Sequence, residues 1–140
     1  MQTFLPYSDF KKSAECLDMR RLGKQRVEAF QLLNILLGRT QGKGWINHPA
    51  ALMWRGYEDA LKAYFNIIVN EWVKRGYKNN MLPEESHHPL YIKPPWLGDE
   101  RFHAAHRSNL LRKKPEHYSK FNWEEPDNLP YFWPTEHEYK

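Results

Sequence analysis

Asp18-Met19-Arg20-Arg21-Leu22-Gly23-Lys24-Gln25-Arg26-Val27-Glu28 carries the pattern of an amphipathic helix. Leu17, Leu22, Phe30, Leu33, Leu36 and Leu37 fall near helical spacing and make a face that seeks a core. On the other side Arg21, Lys24, Gln25, Glu28 and Gln31 follow at steps of three or four. The periodicity predicts one helix from about residue 13, capped by Ser13, to Leu37, with Gly38 as its stop.

The same reading extends outward. Asn47-His48-Pro49 opens a second helix, because proline is tolerated in a first turn whose N–H has no partner anyway. Met53, Tyr57, Leu61, Tyr64, Ile68 and Trp72 then recur at helical intervals up to Gly76. Asp99 caps a third helix that runs through Phe102, His106, Leu110 and Lys113 to Pro115. Residues 1–10 read as an extended lead-in, and residues 77–98, with Pro83, Pro89, Pro94 and Pro95, as a long irregular loop. No stretch alternates as a strand would. The expected fold is all-α: a compact single domain over residues 1–140, three main helices packed with aromatic, proline-rich loops, and residues 121–140 as an aromatic, acidic C-terminal tail.

Charge narrows the partner. Lys and Arg number 21 against 17 acidic residues, but residues 121–140 hold five of the acids and one base, leaving 20 basic against 12 acidic over residues 1–120. So basic a body favours a polyanion over an acidic small substrate. Aromatic residues are 15% of the chain, enough to fill a small core and leave rings for stacking on bases. The single Cys16 rules out an internal disulfide and a cysteine-based zinc site, which fits a cytoplasmic, nucleoid-associated protein. Apolar stretches are far shorter than the roughly 20 residues of a membrane span, and the start lacks the order of a signal peptide.

Neither a metal nor a cofactor is expected. The seven histidines include no HExxH motif, and Gly42-Lys43-Gly44 is too short to cradle phosphate. The third helix is richer, since Arg101 to Lys120 contains six Lys or Arg and a single acid, Glu116. There His103, His106, Arg107, Asn109, Arg112 and Lys113 offer the donors that grip phosphate. Glu28, set among Arg21, Lys24 and Arg26, is the candidate catalytic carboxylate, stabilising charge at a sugar C1′ or moving a proton there. Its competing role is that of a salt-bridge partner.

Several strings together resemble a known family: Met1-Gln2-Thr3-Phe4-Leu5-Pro6-Tyr7, Asp18 to Glu28, Asn47-His48-Pro49-Ala50, Met53-Trp54-Arg55-Gly56-Tyr57-Glu58, Pro95-Trp96-Leu97-Gly98-Asp99-Glu100 and His106-Arg107-Ser108-Asn109-Leu110-Leu111-Arg112-Lys113. They are similar to bacterial pyrimidine-dimer DNA glycosylases, remote relatives of the T-even phage endonuclease V. The resemblance implies a helical, metal-independent enzyme that flips a nucleotide, attacks C1′ with its N-terminal α-amine and then cleaves the backbone by β-elimination. It also likens His117 to Trp123 to a lesion-binding tail. Two departures stand out: Gly23 occupies the place of the phage glutamate, and bulky Gln2 should keep Met1 in place. The α-amine of Met1, with an ordinary pKa of about 7.7–8.0, is a better imine former than Lys24.

These readings converge on a monomeric DNA glycosylase, with or without an AP-lyase step, acting on a damaged or modified base in double-stranded DNA. Glu28, Met1 and Lys24 are the expected catalytic residues. Arg20, Arg21, Arg26, His48, Arg55, His103, His106, Arg107, Arg112 and Lys113 are the expected DNA contacts, and Trp54 and Trp96 the stacking residues. The rival functions are a non-catalytic nucleic-acid-binding module and a nucleoside or nucleotide N-glycosidase.

Overall fold

The computed structural model describes residues 2–40, 45–85 and 91–134. As expected it is all-helical: α1 (Phe10–Cys16), α2 (Met19–Leu36), α3 (Pro49–Trp54), α4 (Glu58–Lys74), α5 (Glu100–Lys113) and α6 (Pro115–Tyr118), with a 3₁₀ turn at Ser119–Phe121. The described parts of residues 77–98 contain no helix.

Two of the expected helices are each divided. The first breaks at Leu17 and Asp18, both extended. Asp9, not Ser13, caps α1 by accepting from Lys12 N, and Asp18 caps α2 by accepting from Arg21 N. Ser13 instead faces inward, its Oγ bridging Tyr7 N and Tyr7 O. A carboxylate that can cap a new helix, held by the Tyr118 hydroxyl, outweighs the continuous apolar periodicity. The second divides at Gly56, whose φ of +88° is open to glycine and strained for other residues. The third helix matches its expected bounds.

α2 packs on α4, and α1 on α4. Gly23 permits that approach: a Cβ there would lie 2.9 Å from the Trp72 ring. Arg26, on the same side of α2, stacks over Trp72 at 4.4 Å. Gly23 therefore faces α4, while Glu28, five positions on, lies on another side of the helix.

Residues 2–6 are buried and form neither helix nor strand, a course that requires partners for their backbone groups. Side chains supply them. Phe4 N donates to Gln25 Oε1 at 2.9 Å, and Leu5 N to His106 Nδ1 at 2.8 Å. Leu5 O lies 2.7 Å from His103 Nδ1, and Pro6 O accepts from the Arg107 guanidinium at 2.8 Å. Thr3 Oγ1 accepts from Trp54 Nε1 at 3.0 Å.

The other side of α5 holds the C-terminal segment. Arg107 Nε donates to Glu125 Oε1 at 2.9 Å, and its guanidinium also pairs with Glu100. Ser108 Oγ donates to Pro126 O and accepts from Leu129 N, while Asn109 Nδ2 reaches Leu129 O at 3.3 Å. Arg101 lies over the Phe132 ring at 4.7 Å. α5 thus joins the two ends of the chain and sets both beside α2.

Candidate active site

A cavity of about 370 Å³ opens where these ends meet α2. Arg20, Arg21, Lys24, Gln25 and Glu28 come from α2, Gln2 and Phe4 from the buried segment, His48 from the start of α3, Lys113 from the end of α5, and Tyr131 and Trp133 from the tail. One wall is aromatic and the rim is cationic. Tyr131 and Trp133 lie 5.8 Å apart, and the Trp133 ring meets His48 edge-on at 5.8 Å. Four cations face one carboxylate.

That carboxylate is held from two directions. Glu28 Oε2 accepts from Gln2 N at 3.2 Å and from Gln25 Nε2 at 3.1 Å. Its Oε1 stands 3.9 Å from Lys24 Nζ, whose side chain is 72% exposed, so this ion pair is screened and weak. Gln25 Nε2 also donates to Gln2 O at 2.8 Å, and the Tyr64 hydroxyl sits 2.6 Å from Gln25 Oε1. Glu28 is consequently fixed in place while part of it faces the cavity.

The cations differ in availability. Arg21 is tied to Asp18 at 3.3 Å, whereas Arg20 and Lys113 make no ion pair among the described residues. Burial, then the nearby Arg21, lowers the pKa of Lys113. His48 caps α3 through Nδ1, which accepts from Ala50 N at 3.0 Å, and burial lowers its pKa.

The structure brings together Glu28, Lys24, Arg20, Arg21, His48 and Lys113. Met1 lies outside the described residues. His103, His106 and Arg107 are corrections: they are 2%, 0% and 8% exposed, and their polar groups hold Leu5, Pro6, Gly98 and the tail rather than offering themselves to phosphate. Asn109 is buried likewise. Trp54 and Trp96 are also corrections, being 0% and 2% exposed in the core, with their indole N–H groups on Thr3 and Met53 O. The Tyr118–Trp123 stack packs internally, its Trp123 bonded to the Tyr7 hydroxyl. Tyr131 and Trp133 are the rings at the cavity instead.

Arg26, Arg55 and Arg112 do not line the cavity. Arg26 donates to Asn79 Oδ1 at 2.8 Å, Arg55 to Ile46 O at 2.9 Å, and Arg112 to Asn109 Oδ1. The sequence reading missed Gln2, Phe4, Tyr131 and Trp133 as lining residues. Gln25 stood in the polar stripe, but its role as a support for Glu28 did not.

Among the described residues no three His, Cys, Asp or Glu side chains converge as metal ligands, and no helix is long and apolar enough to cross a membrane. Cys16 is buried, and burial raises its thiol pKa to about 12.

Fold and site together define a helical protein whose cavity sets a cationic rim and an aromatic wall around one carboxylate. A family model described as pyrimidine dimer DNA glycosylase matches residues 1–85, which include the buried N-terminal segment, Glu28 and His48. The chain belongs to the pyrimidine dimer DNA glycosylase family. Neither the curated proteins nor the solved structures searched contain a match.

Proposed function

We propose that this protein is a DNA N-glycosylase with an AP-lyase step, acting on a damaged pyrimidine in double-stranded DNA at the nucleoid. The observation that carries this reading is Glu28 at a cationic, aromatic-walled cavity, with Gln2 N, the atom to which Met1 is joined, 3.2 Å from its Oε2. The activity that names the family, pyrimidine dimer DNA glycosylase, supports the substrate class.

Damaged DNA supplies what such a cavity lacks. A nucleotide turned out of the stack exposes its glycosidic bond, and unstacking is least unfavourable at a lesion. Its ring packs against Tyr131 and Trp133, and the flanking phosphates meet Arg20, Arg21, Lys24 and Lys113. The Met1 α-amine attacks C1′ in its neutral form. A bond forms from that nitrogen to C1′, and the C1′–base bond breaks, its electron pair leaving with the base. Glu28 accepts the amine proton and passes it to the departing base. The nitrogen lone pair then opens the sugar, C1′–O4′ breaking as O4′ takes a proton from solvent, and the resulting protonated imine acidifies C2′–H, whose loss expels the 3′ phosphate.

Two measurements test this. UV-irradiated duplex incubated with borohydride should yield a covalent adduct mapping to the N-terminal peptide. An adduct at Lys24 would transfer the nucleophile to that side chain. Because a base in a dimer stays tethered to its neighbour, base release is read as glycosidic cleavage, by alkali-labile strand breaks at the lesion. Base release without an adduct would indicate attack by water, and no base release at all would leave a binding module. Affinity for duplex should also fall steeply with salt. Arg20→Gln combined with Lys113→Gln should flatten the slope of log K against log salt by about two units. An unchanged slope removes this rim from the DNA interface.

A further inference from the structure

Among the described residues that line the cavity, one buried side-chain polar atom lacks a partner. Gln25 uses both ends of its amide, and His48 Nδ1 is taken by Ala50 N. Gln2 gives its backbone N to Glu28 and its carbonyl to Gln25, and its Oε1 accepts from Thr3 N at 2.9 Å. That last bond decides which end of the side-chain amide is oxygen, because Thr3 N needs an acceptor. Gln2 Nε2 is left as a donor with no hydrogen-bond partner among the described residues, in a residue 7% exposed that lines the cavity. A buried amide donor without an acceptor is unfavourable, and an acceptor on a ligand in the cavity would relieve it.

The position of Gln2 indicates which ligand atom that is. Its backbone adjoins Glu28, the carboxylate that works at C1′ in the reading above, on which this inference rests. Base atoms near that point are those next to the glycosidic nitrogen, and in a pyrimidine the acceptor there is the O2 carbonyl. We propose that Gln2 Nε2 donates a hydrogen bond to O2 of the pyrimidine that enters the cavity. As the C1′–N1 bond breaks, its electron pair spreads from N1 onto O2, and a donor held there strengthens its bond as the charge develops. Gln2 is thereby both a reader of the base and a stabiliser of the leaving group.

Two variants separate this role from support of the chain start. Gln2→Glu keeps an acceptor for Thr3 N but removes the donor, and Gln2→Met removes both. Base release from UV-irradiated duplex and affinity for a duplex carrying a tetrahydrofuran abasic analogue, which has no base, are measured side by side. Both variants should release base tenfold to a hundredfold more slowly while binding the abasic duplex within twofold of wild type. Wild-type base release by either variant overturns the proposal, as does a loss confined to Gln2→Met or an equal loss of abasic-duplex affinity. If the wild-type protein releases no base, the glycosylase reading falls first. The Gln2 assignment is then read on oligothymidylate against the same oligonucleotide with abasic analogues, and equal loss of affinity for both in Gln2→Glu overturns it.

Discussion

Glu28→Gln should slow base release by about a hundredfold or more, roughly 2.7 kcal/mol in activation free energy, with folding and DNA affinity unchanged. The geometry makes this substitution unusually clean. Both hydrogen bonds that hold Glu28 arrive at Oε2, from Gln2 N and Gln25 Nε2, and an amide oxygen at that position accepts both. The other oxygen has one charged neighbour, Lys24 at 3.9 Å and largely in solvent, so removing the charge has little effect on stability. What the amide cannot do is take a proton from an attacking amine. Single-turnover base release from UV-irradiated duplex, alongside the binding isotherm and the melting curve, gives the answer. Normal turnover would return Glu28 to the role of a salt-bridge partner. A loss of binding matching the loss of rate would place it among the groups that position DNA.

Much of the site was legible where it depends on one helix. The stripe Arg21, Lys24, Gln25 and Glu28 is set by helical spacing alone, and the structure places all four at the cavity. α5 shows the limit of that logic. Its donors read as phosphate ligands because their number and spacing were visible, but their acceptors were not. Leu5 O lies 98 residues from His103 in the chain, and Glu125 lies 18 from Arg107. A polar helix face that closes over two irregular chain segments has the same composition as one that grips DNA. Tyr131 and Trp133 were hidden for the same reason, since their place beside α2 is set by the tail's contacts with Ser108 and Asn109. The Leu17–Asp18 break was hidden by an apolar period that runs on through it, although Asp18 is a good cap in its own right.

Acid should unfold this protein through α5, in a range where most carboxylates are still charged. Leu5 N donates to His106 Nδ1, so the ring's proton sits on Nε2, where no acceptor meets it. Burial, with His103 nearby, lowers the pKa of His106 from 6.5 to about 3. His103 is lowered too, by burial first, and its ring takes Gly98 N at one nitrogen and faces Leu5 O at the other. The folded state therefore holds both rings neutral, while the unfolded chain protonates them near pH 6.5. Below that pH the unfolded state binds more protons, so stability falls as pH drops from about 6.5 toward 3 and is fully present above. His106 alone should remove about 3 kcal/mol by pH 4.5. The lowered carboxylates Asp18, Glu84, Asp99 and Glu125 lose their contributions at lower pH still, as they take up protons. Urea unfolding at a series of pH values would show the stability slope beginning near pH 6.5. His106→Asn, which retains an acceptor for Leu5 N but cannot titrate, should reduce that slope by nearly one proton. A slope that begins only below pH 4 in the wild-type protein would mean that His106 accepts its proton without unfolding. Because the two rings hold Leu5, three residues from the Gln2 N–Glu28 contact, the loss of stability should add to the fall in base release already set by protonation of the Met1 amine below about pH 8.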